Sequence, residues 1–488
     1  MWDRLPACRF KKIMHQISSQ NDTGHANAQF AFAFNQQWLQ ANLARYLWRE
    51  NEAVGLITQC EMINTWESSK RTTVHYQISF NDAEGQPRQQ MYVGFLVADD
   101  RLEDEYKSAL KKAKIHPAFG RAAALVPEAK LILLAYPNDR KMSLLSEAQL
   151  QAWLGENLRN VAGGALGDEN WRVQTAKVEM LRYVPEKRFT AHCAAQIKSE
   201  NGSQEEIFFI AKQLNDENKA RKLYRDLRSL HKAWPENGKK PPIRLPRALA
   251  LDQKNGVVFI EEMRGDNLKQ VLFEIDLPRV MPAVGRLLAD FHRTQKRVRK
   301  KVTIKNELAE VREAIQTIVK TLPHFRPRLK KLLAHFKAVK LNDRRSPVLL
   351  HGTYRLNHIF ICDGELALLD LDSLRMGRPA YDIANFLSSL YYLEEAHGRI
   401  TATMRQEISR HFFKGYVEKM KKNISPAAVL WFLASLLINK QAKKYITHSH
   451  DECEEKVGRM LVLAETVLAL SRQRPREMAL ATLWQALP

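Results

Sequence analysis

The sequence predicts an α+β protein, with two sheet-forming segments in the first half and a mostly helical second half. Three observations carry this. One pattern of residues occurs twice before residue 265, each time running into alternating strand-like residues. After Gly265, apolar residues recur at helical spacing. Within that helical half, His351 to Asp372 reads as a loop, a strand, a tight turn and a second strand.

Taken in order, Gln36 to Glu50 places Trp38, Leu39, Leu43, Tyr46 and Leu47 on one face, which predicts an amphipathic helix. The repeat follows. Glu61-Met62-Ile63 leads to Lys70-Arg71-Thr72-Thr73-Val74-His75, and Glu179-Met180-Leu181 leads to Lys187-Arg188-Phe189-Thr190-Ala191-His192. Each copy continues through a polar turn (Asn81 to Pro87; Ser199 to Gln204) into an apolar strand, Met91 to Val97 or Ile207 to Leu214. A charged helix and another apolar strand come next, Leu131 to Tyr136 or Val257 to Ile260. Two copies of one supersecondary unit explain this pattern.

The second copy holds the chemistry. Phe208-Phe209-Ile210-Ala211-Lys212-Gln213-Leu214 sets one lysine in an apolar strand, which is costly unless its ammonium meets an anion. In the first copy Phe95 stands at that position. Asp216 to Leu230 is a helix whose available carboxylates are Glu217 and Asp226. Tyr183 to Arg188 forms the turn ahead of the lysine strand. There Lys187 and Arg188 either supply charge to a phosphate or belong to an ordinary exposed turn. Lys239-Lys240-Pro241-Pro242 marks a loop, and Val257 to Ile260 runs into Glu261-Glu262-Met263-Arg264-Gly265.

In the second half, Val284, Leu287, Leu288 and Phe291 line a helix ending near His292. Leu329, Leu332, Leu333 and Phe336 line another. Asp363-Gly364 between two apolar runs is a strong hairpin signal. The loop before the hairpin brings His351, Thr353, Asn357 and His358 together, and the second strand delivers Asp370 and Asp372 beside them. Carboxylates, an amide and imidazoles at one hairpin end make a candidate cation and phosphate site. Helices are expected at Ala384 to Glu395, Ile408 to Met420, Ala427 to Ile438 and Val457 to Leu470. His448, His450 and Asp451 form a polar cluster, read as an interhelix loop ahead of a metal site.

Composition sets the bounds. A chain of 488 residues exceeds one core, and 45% hydrophobic with 27% charged residues is ordinary for a globular protein. The net charge of +22, from 76 basic and 54 acidic residues, favours anionic partners. The densest basic run is Lys296 to Lys301, and a solvated helix face plus a basic loop accounts for it ahead of a nucleic-acid site. No zinc-finger spacing, RNA-recognition aromatic motif or dinucleotide fingerprint accompanies the charge. Five scattered cysteines without a Cys-x-x-Cys read as reduced thiols. Met1 to Lys12 has no signal-peptide core, and Val429 to Ile438 is too short to span a bilayer. A cytoplasmic protein without a membrane span is expected.

The order of parts resembles the aminoglycoside phosphotransferase/choline kinase-like family. That family carries His-Gly-Asp, four residues, Asn, a hairpin and Ile-Asp-Trp/Phe-Glu/Asp. Gly377-Arg378-Pro379-Ala380-Tyr381-Asp382-Ile383-Ala384 is similar to its Gly-Asp-Pro-Ala-Tyr-Asp-Leu-Ala segment. The resemblance implies a protein kinase-like two-lobed fold, with an antiparallel-sheet N-lobe and a mostly helical C-lobe. An additional degenerate N-lobe-like domain precedes it. The implied division is 1–160, 161–264 and 265–488. It implies ATP and Mg2+ as cofactors and a small-molecule acceptor as partner. Lys212 would hold phosphates, with Lys187 and Arg188 in support, and backbone groups of Glu261 and Met263 would hold the adenine. Asp370 would bind magnesium, with His358 or Asn357 as second ligand. Two departures stand out: Thr353 occupies the catalytic Asp position, and His358 the metal-binding Asn position. Asp372 would orient the acceptor, and Asp382 would support the loop. The expected function is ATP-dependent phosphorylation of a hydroxyl on a sugar, amino sugar or amino alcohol. The alternative is a pseudokinase, a nucleotide-binding or scaffold protein without turnover. A basic nucleic-acid binder ranks third.

Overall fold

The computed structural model describes residues 32–50, 54–67, 72–162, 170–232, 243–339, 341, 346–398, 400–420, 424–447, 452–473 and 479–488. The start at Met1 to Lys12, Lys70 and Arg71 of the first repeat, the Lys239 to Pro242 loop and the cluster at His448, His450 and Asp451 lie outside these residues. Two compact units divide the chain. The first comprises Met1–Ala220, Asp252–Val257 and Thr447–Asp451; the second comprises Arg221–Leu251, Val258–Ile446 and Glu452–Pro488.

The first unit opens with α1 (Gln36–Asn42) and α2 (Ala44–Leu47), where one helix was expected. The Asn42 side chain donates to Trp38 O at 2.8 Å, and Leu43 between the two helices keeps helical angles (φ −62°, ψ −29°). The apolar stripe survives the break, and Leu39, Leu43 and Leu47 are fully buried. They pack on a sheet of β1 (Val54–Glu67), β2 (Thr72–Asp82), β3 (Pro87–Leu96), β4 (Ala123–Val126) and β5 (Leu131–Ala135). Period-two alternation buries Val74, Tyr76, Ile78 and Phe80 along β2. The second sheet uses β6 (Trp171–Val184), β7 (Arg188–Ser199), β8 (Gln204–Leu214), β9 (Ala248–Asp252) and β10 (Val257–Glu261). Its inward face on β7 is Phe189, Ala191, Cys193, Ala195 and Ile197. The two sheets have the same strand order, β1-β2-β3-β5-β4 and β6-β7-β8-β10-β9. In each, a helix follows the third strand: α3 (Asp99–Lys112) in the first copy, α5 (Glu217–Lys232) in the second. Between the copies lies α4 (Glu147–Ala162).

The first copy is tied to the β6–β7 turn of the second by buried polar groups. Asp139 accepts from Tyr183 Oη at 2.6 Å and from the Glu186 N–H at 2.7 Å. Arg140 pairs with Glu105 on α3 and with Glu186, and its guanidinium lies 5.2 Å from the Phe95 ring centre. Phe95 holds the position that Lys212 holds on β8. In the first copy, therefore, an arginine from another segment meets the helix glutamate.

The second unit is mostly helical. Asp276 caps α6 (Leu277–His292), accepting from the Arg279 N–H, and Val284, Leu288 and Phe291 are fully buried. Next come α7 (Ile304–Thr321) and α8 (Arg326–Ala338), the latter burying Leu329, Leu332 and Phe336 beneath a basic face. The Lys296 to Lys301 run is not a free tail. Met376 N–H donates to Lys300 O at 2.7 Å, and Val302 N–H to Met376 O at 2.8 Å. After the central hairpin stand α9 (Ala380–His397), α10 (Ala402–Lys419), α11 (Pro426–Leu436), α12 (Lys443–Thr447), α13 (Cys453–Gln473) and α14 (Leu483–Ala486). Every residue of α11 is buried, which makes it the central core helix. No helix among the described residues is long and apolar enough to cross a membrane. Cys60, Cys193, Cys362 and Cys453 are buried free thiols.

Helices α6 and α10 approach so closely that a Cβ on Gly415 would overlap the Pro282 carbonyl. Gly415→Ala is expected to cost about 3 kcal/mol and lower Tm by about 6–12 °C. A melting curve unchanged within about one degree would rule out this backbone contact.

Candidate active site

The site is built outward from Asp382, in the first turn of α9. Its carboxylate is fully buried and accepts three hydrogen bonds: from His351 N–H (2.7 Å), Gly352 N–H (2.8 Å) and His292 Nε2 (3.2 Å). The other His292 nitrogen pairs with the Tyr416 hydroxyl at 2.9 Å, directly after the Gly415 contact. Burial alone would raise the Asp382 pKa, but His292, His351 and the Gly352 amide hold the carboxyl below its ordinary value. Tyr354 adds a second anchor, its hydroxyl donating to Val284 O on α6 at 2.7 Å. The loop is thus fixed at both His351-Gly352 and Tyr354.

From that loop the chain enters a single 3-10 turn, Leu356–His358, then β11 (Ile359–Cys362) and β12 (Glu365–Leu368). Asp363 and Gly364 join the strands with φ of 53° and 76°. Both values are left-handed, as a type I′ turn requires. The hairpin pairs in register from Ile359–Leu368 to Cys362–Glu365. Just beyond it Asp370 takes φ 59°, a conformation that aspartate tolerates better than most side chains. A second 3-10 turn, Leu371–Ser373, leads to β13 (Arg375–Gly377).

The geometry assigns a proton to each imidazole. His351 Nε2 lies 2.8 Å from Leu369 O, and a carbonyl can only accept, so Nε2 carries the hydrogen. Burial lowers the His351 pKa, which leaves the ring neutral and Nδ1 an acceptor. Thr353 Oγ1 is 3.4 Å from that Nδ1 and donates towards it. At His358, the Arg355 Nε–H donates to Nε2 at 2.9 Å, and Asp370 Oδ2 lies 3.3 Å from the same nitrogen. Burial, reinforced by the charge of Arg355, brings the His358 pKa down to about 3. Its Nε2 therefore offers a lone pair, and that lone pair is engaged by Arg355.

In the second unit Thr353, Asn357 and His358 lie on the loop and 3-10 turn before the hairpin, His358 faces Asp370, and Asp372 follows in the next 3-10 turn. Asn357 is half-buried, its backbone carbonyl accepting from Asn267 Nδ2 at 2.9 Å, and Asp372 is exposed. Glu261 uses its side chain on Arg247 and its N–H on Arg247 O. Met263 is buried against Cys362 and Ala367. Lys187, Arg188 and Lys212 belong to the first unit. There Lys187 is exposed, Arg188 half-buried, and Lys212 buried opposite Thr190 on β7. On α5, Asp226 pairs with Lys222, and Glu217 is exposed.

His358 does not fit a magnesium ion; of the expected ligands, Asp370 and Asn357 carry the side-chain oxygens. Magnesium takes oxygen ligands in near-octahedral geometry. The expected second ligand, His358, has only a nitrogen to offer, and Arg355 occupies it. Among the described residues, no group of three or more His, Cys, Asp or Glu is arranged to hold a metal. The reading of His358 as a metal ligand is corrected on this ground.

Sequence reasoning placed Arg355 only as a possible partner of Thr353 and missed two further cations, Arg375 and Lys440: the Arg375 guanidinium lies 5.7 Å and Lys440 Nζ 5.5 Å from the Tyr381 ring centre. Lys440 sits in a π-helical turn, Leu437–Ala442, which continues α11, and donates to Asn385 Oδ1 at 2.6 Å. Burial, then the charge of Arg375, lowers its pKa to about 8. A signal existed, since one lysine in the apolar run Val429 to Lys440 is the same anomaly as Lys212 in its strand.

A loop held by a buried aspartate thus precedes a hairpin that presents polar groups at one end, within an α+β architecture. Residues 204–415 match the model of the phosphotransferase enzyme family. Among solved structures the chain is similar to choline kinase from Cryptosporidium parvum Iowa II, at 13% identity and TM-score 0.45, covering 66% of this chain and 96% of that one. It is also similar to a thermostable mutant of aminoglycoside phosphotransferase APH(4)-Ia in complex with ADP and hygromycin B, at 14% identity and TM-score 0.41, covering 62% and 95%. A choline/ethanolamine kinase family protein from Mesorhizobium loti shares 13% identity at TM-score 0.37, covering 57% and 89%. No curated protein sequence matches the chain.

Proposed function

We propose that this protein is a pseudokinase of the phosphotransferase family, which binds a nucleotide without turning it over at the family's usual rate. One observation carries the reading: Thr353 stands at the catalytic aspartate position, and its hydroxyl donates to His351 Nδ1. A donating hydroxyl with an ordinary alcohol pKa is no general base near neutral pH. His351 cannot replace it readily, because burial holds its ring neutral and its Nε2–H is fixed on Leu369 O. A missing base typically lowers a rate by about 10²–10⁴-fold. Lys212 would contact phosphate oxygens, as the resemblance implies.

A second reading keeps catalysis, with a sugar, amino sugar or amino alcohol as acceptor. Asp372 favours it, because this exposed carboxylate two residues after Asp370 can orient a hydroxyl. Calorimetric titration with ATP, followed by product analysis against a panel of such acceptors, separates the two. The pseudokinase reading expects ATP binding and no phosphorylated product. Stoichiometric product that disappears in Asp372→Asn would establish the kinase reading instead.

A further inference from the structure

We propose that Arg355 is a resident cation of this site, and that a phosphate-bearing ligand binds against it without a divalent metal. The proposal rests on the nucleotide-binding reading above and deepens it.

The argument begins with two electron-rich atoms. His358 Nε2 and Asp370 Oδ2 are 3.3 Å apart, and neither has a proton to share when Nε2 serves as an acceptor. Such a pair needs positive charge beside it. In a metal site an ion would supply that charge; here the Arg355 Nε–H does, 2.9 Å from His358 Nε2. The backbone makes this possible. Arg355 is extended (φ −167°, ψ 162°), and the 3-10 turn that follows carries the His358 N–H back to Arg355 O at 3.0 Å. Residues three apart in such a turn lie on one side of it, so the guanidinium and the imidazole face each other.

The surroundings then identify the ligand class. Arg375 and Lys440 flank the Tyr381 ring; burial, Arg375 and Arg355 oppose the charge on Lys440, while Glu307 and Asp382 favour it. Cations that disfavour one another's charge in the free protein are relieved by an anion. Guanidinium groups match phosphate oxygens in a planar, two-point contact that a compact ion does not reproduce. The ligand is therefore a phosphate chain, which meets protein cations directly.

The test uses the full chain and two probes, ATP and inorganic tripolyphosphate, titrated calorimetrically with excess EDTA and again with millimolar MgCl2. The expected result is ATP binding in EDTA within about threefold of its strength in magnesium. Arg355→Gln should weaken the EDTA binding by about tenfold or more and make the remainder magnesium-dependent. A melting curve shows that this variant is folded. Tripolyphosphate binding in EDTA without ATP binding would support the resident cation and overturn the nucleotide reading. Wild-type ATP binding that is lost in EDTA would overturn the resident cation and leave the nucleotide reading standing. No binding of either probe in either buffer would overturn both.

Discussion

Asp382→Ala is expected to cost about 3–5 kcal/mol of stability, the range for removing one partner from a buried charged network. A fall in Tm of about 6–20 °C follows for a unit of this size. The carboxylate is the common acceptor for His351 N–H, Gly352 N–H and His292 Nε2, and none of the three can reach water once it is gone. Three buried donors would lose their partner at once, and the loop carrying Thr353 and Arg355 would lose its anchor, so ligand binding should fail as well. Asp382→Asn should be milder, because the amide keeps one acceptor but turns a donor towards donors. The network also has a pH signature. The folded carboxyl titrates below its ordinary value, so between the two values the unfolded chain binds more protons. Stability from this group is complete above about pH 4 and is lost as pH falls through the folded value. Melting temperatures measured from neutral pH downwards should show this acid limb in the wild type. It should be absent in Asp382→Asn, and an identical limb in both proteins would assign it elsewhere.

Thr353→Asp is expected to change ATP consumption by less than about tenfold on its own, although a working base is commonly worth about 10²–10⁴. The introduced carboxylate would face the His351 Nδ1 lone pair, whose hydroxyl donor it replaces. It would draw a proton onto a buried imidazole before it served any acceptor. Nor would it restore a metal, since Arg355 still occupies His358 Nε2. Adding Arg355→Ala removes that cation and leaves the new carboxylate beside Asp370 as oxygen ligands. The double variant should therefore gain magnesium-dependent ATP consumption, by about 10²-fold over the wild type. Phosphate release assays with and without magnesium decide the matter. A hundredfold gain from Thr353→Asp alone would mean that the base was all the site lacked.

The sequence reading succeeded where local chemistry decides structure. The Asp363-Gly364 turn, the alternation along β2 and β7 and the lined faces of α6 and α8 follow from residues a few positions apart. The repeat was legible because both copies keep their turn and strand residues, and the two sheets share one strand order. Where it fell short, the deciding partner is remote in sequence or hidden by composition. Arg355 reads as one charge in a polar loop until the 3-10 turn sets it against His358. Lys440 disappears into an apolar helix, and its relation to Arg375 across Tyr381 spans more than fifty residues.

The buried link from Asp139 to the β6–β7 turn bears on how this protein can be cut or recombined. A chain begun at β6 would keep every residue of the family-matching segment, which starts at residue 204. It would still strand the Tyr183 hydroxyl and the Glu186 N–H, whose acceptor lies in the first half. It would also leave the Glu186 carboxylate without Arg140 and Lys141. The two copies are therefore not interchangeable modules. The first copy braces the turn preceding the lysine strand. Domain-shuffling experiments that treat residue 170 as a clean seam should yield a fragment in which that turn exchanges its amide hydrogens rapidly. Fusing the two halves on separate chains should restore protection only when they associate.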